Sequence, residues 1–110
     1  MFEKDLKIAY LLDFYGDVLT ERKKEVLDMY YNEDLSLAEI AEQIGISRQG
    51  VRELIKKAEE ELLFLESKLG LAQKMHSLKK HSDKMLGIAQ STTLPDELIK
   101  EIEEIAKIIK

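Results

Sequence analysis

Six polar residues offer the clearest chemistry in this chain: Ser47, Arg48, Gln49, Arg52, Lys56 and Lys57. They share a stretch in which Val51, Ile55 and Ala58 recur at helical spacing, so Ser47, Arg48, Gln49, Arg52 and Lys56 face away from a core. A guanidinium such as that of Arg48 can bond both major-groove acceptors of guanine, and the carboxamide of Gln49 can do the same for adenine. Arg52, Lys56 and Lys57 suit phosphates. This is the chemistry of recognition, not of bond-making. The chain has no Cys, which removes disulfides, thiolate metal sites and thiol nucleophiles. His76 and His81 are five residues apart, too far round a helix to share a metal. No Gly-rich phosphate loop and no pairing of nucleophile with base is visible. The chain is therefore expected not to be an enzyme, and to use no metal and no cofactor.

The 110 residues carry a net charge of −5, an awkward sign for a reader of polyanions. The charge is uneven, however. Residues 1–44 hold five Lys/Arg against eleven Asp/Glu, whereas residues 45–58 hold four against Glu53 alone. The run Glu59-Glu60-Glu61, with Glu66, then outweighs Lys68. In residues 71–92 the balance is positive again, with Lys74, Lys79, Lys80 and Lys84 against Asp83. Screening acts over about 8 Å at physiological salt, so a local positive segment matters more than the total. Lys74, Lys79, Lys80 and Lys84 form a second basic patch that could meet RNA phosphates. After Tyr31 the sole aromatic is Phe64, so base stacking beside that patch is not expected.

Helices must position all of these residues. One Pro, five Gly and abundant Leu, Ile, Glu and Lys predict an all-α chain of about six helices. The first, Lys4 to Tyr15, is apolar over most of its circumference and should be largely buried, with Gly16 as its stop. Thr20 caps the second, which buries Val26, Leu27, Met29, Tyr30 and Tyr31 before a turn at Asn32–Asp34. Ser36 and Glu39 have capping-box spacing ahead of Leu37, Ile40, Ala41 and Ile44. Val51, Ile55, Ala58, Leu62, Leu65 and Leu69 then form a heptad seam that Gly70 interrupts. A weaker seam follows, Leu71, Met75, Leu78, Ser82, Met85 and Ala89. Gln90–Pro95 breaks the chain before a last helix with Leu98, Ile102, Ile105 and Ile109 on one face. Two parts are expected. Residues 1–70 form the domain with the long helix, and 71–110 form a helical extension packed on the first part or on a second chain. The seams favour a homodimer. No apolar run reaches membrane-spanning length and the N-terminus is unlike a secretory signal, so a cytoplasmic protein without membrane insertion is expected.

The pattern Ile40-Ala41-x-x-Ile44-Gly45-Ile46-Ser47-x-x-x-Val51-x-x-x-Ile55 fits the steric demands of a helix-turn-helix. Ala41 is small where two helices approach, Gly45 supplies a positive φ, and Ile46 is expected to plug the core beneath the turn. The segment from Leu19 to Leu62 resembles region 4 of bacterial sigma-70 factors. The wider stretch Leu11–Leu71, including "DFYG", resembles the YlxM family of small bacterial helix-turn-helix proteins. That resemblance implies a sigma-70 region 4-like fold followed by C-terminal helices. It further implies a regulatory role beside the signal recognition particle, with DNA, the particle's RNA or its GTPase as partners. A protein- or RNA-binding adaptor of the particle and a sequence-specific transcriptional regulator are the alternatives. The chain departs from the sigma pattern at Gly50, at Leu54 and at Glu59–Glu61. The acidic run should repel phosphates and confine nucleic-acid binding to a weak contact over one or two turns.

Overall fold

A computed structural model describes residues 6–109; these are helices and turns, with no strand among them. The fold is all-α, with six α-helices among the described residues. Helix α1 (Leu6–Tyr15) buries Ile8, Leu11, Leu12 and Tyr15. Leu6 and Tyr10 are exposed, because the 3.6-residue period carries them to the opposite side. The helix is thus one-sided, not buried all round. Lys4, the expected first residue, lies outside the described residues. Gly16 does not stop α1 by a left-handed turn: positive φ among the glycines occurs at Gly45 and Gly70. Gly16 instead opens a short 3-10 turn, Gly16–Val18, that leads to α2.

Helix α2 (Glu21–Leu27) starts where the Thr20 hydroxyl accepts the Lys23 N–H. It runs on into a single wide π turn, Asp28–Asn32, closed by the Glu33 N–H on the Asp28 carbonyl at 3.0 Å. Helix α3 (Leu37–Ile44) has both halves of its capping box in place: Ser36 Oγ accepts the Glu39 N–H at 3.1 Å, and Glu39 Oε1 accepts the Ser36 N–H at 3.0 Å. Helix α4 (Arg48–Leu69) is the axis of this first unit, and α1, α2 and α3 all pack on it. Val51, Ile55, Ala58 and Leu62 are fully buried. Burial of the seam then fades through half-buried Leu65 to exposed Leu69, where the three shorter helices give out.

Gly70, left-handed at φ 61°, separates this unit from a second one, Gly70–Lys110. Helix α5 (Leu71–Ser91) and helix α6 (Asp96–Ile109) pack together as a hairpin. The expected α5 seam is only partly used. Leu71 and Leu78 are exposed, whereas Ala72 and Ser82 are buried. The hydroxyl of Ser82 has no hydrogen-bond partner. An unpaired buried hydroxyl loses its hydration and gains nothing in return.

Two stability tests follow from these local features. Ser82→Ala should raise the melting temperature, by a gain on the order of 1 kcal/mol from the removed polar burial and better helix propensity; thermal denaturation by circular dichroism measures it. The hydrogen bond from the Ser36 N–H, with that of the Ser36 hydroxyl, holds the Glu39 carboxyl below the usual glutamate range. Its contribution is full above the unfolded pKa and is lost as pH falls through the lowered folded value. Glu39→Gln keeps an acceptor but no charge, so its melts across the acidic carboxylate range should lose less stability than those of the natural chain.

Candidate nucleic-acid interface

The turn between α3 and α4 sets the aim of the candidate residues. Gly45 sits at φ 75°, ψ 33°, and its N–H bonds the Ala41 carbonyl at 2.9 Å. The Ile46 N–H reaches the same carbonyl at 3.2 Å. Ser47 then starts α4 by accepting the Gly50 N–H on its hydroxyl at 2.9 Å. Ile46 does not plug the core as expected; it is 38% exposed. Its side chain lies over the first turn of α4. A Cβ at position 50 would stand 3.3 Å from Ile46 Cδ1 and 3.2 Å from Ser47 Oγ. Gly50 is therefore the residue that lets both close on the helix start.

All six residues singled out from sequence are exposed. At about 100° per residue, Arg48, Arg52 and Lys56 step round α4 by only about 40° each, a shallow stripe, and Gln49 falls on the same side as Lys56 about two turns before it. Arg48, Gln49 and Arg52 also line one open groove of about 720 Å³ with Tyr30, Ser36, Leu37 and Ala38. The structure thus gathers three of the six around a concave surface at the start of α3. Lys56 prolongs the stripe beyond the groove. Lys57 is about 100° further round, on another face. The Ser47 hydroxyl is engaged as the cap of α4. Gln49 Nε2 donates to Glu53 Oε1 at 3.1 Å, a bond it must release to meet a base edge.

Sequence reading missed the other wall of the groove. Tyr30 reaches it from the π turn after α2. The neighbouring Tyr31 turns the other way and donates its hydroxyl to Glu59. That bond belongs to a set that revises the meaning of the acidic run. Lys23 Nζ pairs with Glu61 Oε1 at 2.9 Å, and the Tyr15 hydroxyl donates to Glu66 Oε1 at 2.6 Å. Of Glu59, Glu60 and Glu61, only Glu60 is exposed; the other two are half-buried. Glu59, Glu61 and Glu66 are side-chain braces that fasten α4 to the π turn, α2 and α1 respectively. Glu60 remains to limit phosphate contact beyond Lys56.

The second basic patch is dispersed. Lys74, Lys79, Lys80 and Lys84 are all exposed on α5. Lys80 and Lys84 are one turn apart, but Lys79 is about 100° from Lys80 and Lys74 lies on a further face. A smaller depression of about 290 Å³ on the first unit is lined by Glu21, Lys24, Glu25, Asp28 and Glu33, an acidic wall unsuited to phosphate. Among the described residues no group of three or more His, Cys, Asp or Glu could hold a metal ion, and no helix is long and apolar enough to cross a membrane.

Comparison with known proteins agrees with this geometry. The family model UPF0122, described as "Putative helix-turn-helix protein, YlxM / p13 like", matches residues 2–105. A UPF0122 protein of Thermoanaerobacter sp. (strain X514) is 42% identical over 108 residues, covering 96% of this chain and 92% of its own. One from Acetivibrio thermocellus is 42% identical over 108 residues, covering 98% and 89%. One from Clostridium botulinum is 46% identical over 79 residues, covering 72% of each. The spacing about Gly45, the turn it makes and the extent of these matches lead to one assignment: the chain belongs to the UPF0122, or YlxM, family of helix-turn-helix proteins.

Proposed function

We propose that this chain is a regulatory nucleic-acid-binding protein that works in the cytoplasm through the exposed front of α4. The observation that carries the reading is the grouping of Arg48, Gln49 and Arg52 along one groove beside the start of α3, within the most cationic stretch of the first unit. In such a motif the first helix braces on the backbone while the second enters the major groove. Arg48 and Gln49, nearest the start of α4, are the base readers; Arg52 and Lys56 hold phosphates, with Lys57 reaching the backbone from the flank. So few cations, ended by Glu60, give modest and salt-sensitive affinity, since each phosphate neutralised contributes about 0.9 to the slope of log affinity against log salt.

A second reading makes the chain an adaptor for the protein or RNA of the signal recognition particle. It draws on the resemblance to the YlxM family and on the exposed apolar end of α4, where Leu63, Phe64 and Leu69 face outward.

One pair of substitutions separates the two. Arg48→Ala with Arg52→Ala should abolish retention of duplex DNA or of the particle's RNA in gel shifts, and lower the salt slope by about one, for the phosphate of Arg52, where binding persists. The circular dichroism spectrum should stay unchanged. Full retention by the double variant overturns the recognition-helix reading, and recovery of the particle's GTPase by that variant supports the adaptor. Nanomolar binding of random duplex at physiological salt would contradict the modest affinity.

A further inference from the structure

The α5–α6 hairpin repeats one apolar pattern on both of its helices. Relative to buried Ser82, α5 places Leu78, Met85 and Ile88 four residues before, three after and six after. Relative to buried Ile102, α6 places Leu98, Ile105 and Ile108 at the same three offsets. At about 100° per residue each stripe lies roughly 40° to 120° to the same rotational side of the buried position. The four-residue connection, residues 92–95, makes the two helices antiparallel. Equal rotation on antiparallel neighbours brings both stripes to one face of the hairpin. Met85 is half-buried; the other five are exposed, Ile108 to 80%. A unit of about 40 residues is at the size where a core alone seldom suffices without disulfides, metals or oligomerisation. This one has no Cys, and the buried side chains among its described residues are Ala72, Ser82 and Ile102.

Charge selects what covers the face. Helix α5 carries Lys74, Lys79, Lys80 and Lys84 against Asp83. Helix α6 carries Asp96, Glu97, Glu101, Glu103 and Glu104 against Lys100 and Lys107. Two two-fold arrangements can bury the face against its own copy. With the axis across the helices, α5 lies on the partner's α5 and like charges meet. With the axis along the helices, α5 lies antiparallel on the partner's α6 and opposite charges meet. Lys84 points away from the α6 of its own chain, about 200° round from Ser82. Counting back from the connection, it comes level with Glu103 and Glu104. A two-fold axis along the helices has no translation, so Lys84 of one copy comes level with Glu104 of the other.

We propose that the α5–α6 hairpin is a dimerisation element: two copies form an antiparallel four-helix bundle, α5 on α6, with the two stripes inside and Lys84–Glu104 pairs along its edges. The geometry is that of a common bundle, in which neighbouring antiparallel helices share apolar seams flanked by charges.

Sedimentation of the full chain from low to high micromolar concentration tests this. The natural chain should reach twice the monomer mass of 12.7 kDa. Ile108→Lys, at a position open to solvent within the chain, should sediment as a monomer with unchanged helicity. Lys84→Glu should weaken association by on the order of tenfold, since two symmetric pairs turn repulsive, and adding Glu104→Lys should restore it. Three results overturn the proposal: a natural chain that stays monomeric throughout, so that another protein or the first unit covers the face; a dimer indifferent to Ile108→Lys and Lys84→Glu; or a charge swap that does not restore a weakened dimer.

Discussion

Burial of one stripe of α4 is the constraint on which the first unit depends. Val51, Ile55, Ala58 and Leu62 are without solvent contact because α1, α2 and α3 close on them together. None of the three shorter helices could bury its own apolar side without that shared seam, and isolated helices of 7 to 10 residues are marginal in water. Truncating such a buried Leu or Ile to Ala typically removes about 2–5 kcal/mol, much of a small domain's stability of roughly 5–15 kcal/mol. The packing also fixes the rotation of α4. Once the seam faces inward, Arg52 and Lys56 turn outward and Arg48 stands at the seam's edge, beside the groove.

The same helix thereby divides its labour along its length. Its first two turns line a groove with Arg48, Gln49 and Arg52. Its middle and later turns are fastened laterally, by Tyr31 to Glu59, Lys23 to Glu61 and Tyr15 to Glu66. An acidic chain that presents a cationic surface is no contradiction in these terms. Two of the carboxylates next to the cationic stretch, Glu59 and Glu61, are half-buried and engaged by Tyr31 and Lys23, and Debye screening weakens the more distant ones. The partly buried position of these braces makes them more than surface ion pairs, whose worth is near zero to 1 kcal/mol.

How much was legible depends on the range of the interaction concerned. The Thr20 and Ser36 caps and the Gly45 turn each involve residues within three or four of one another, and each appears as the sequence pattern implies. The π turn at Asp28–Asn32 left no such mark, since it depends on where α4 requires Tyr30 and Tyr31 to go. Ile46 was misplaced for a related reason. Its apolar side chain suited a core, but Gly50 offers it a seat on the outside of α4. The acidic run was misjudged because its partners stand 28 and 38 residues away in the chain.

Sequence by itself determined the helices, their caps, the turn at Gly45 and the family to which the chain belongs, because these rest on local backbone sterics and on periodicity. It also marked Ser47 at the start of α4 and Arg48, Gln49, Arg52, Lys56 and Lys57 along it. Only the tertiary structure decided which of them meet. Packing the short helices on α4 brought Tyr30 and Ser36–Ala38 beside Arg48, Gln49 and Arg52, left Lys57 on another face, and turned Glu59 and Glu61 inward. Those outcomes follow from the closing of three helices on a fourth, and contacts between residues far apart in sequence have no local signal to announce them.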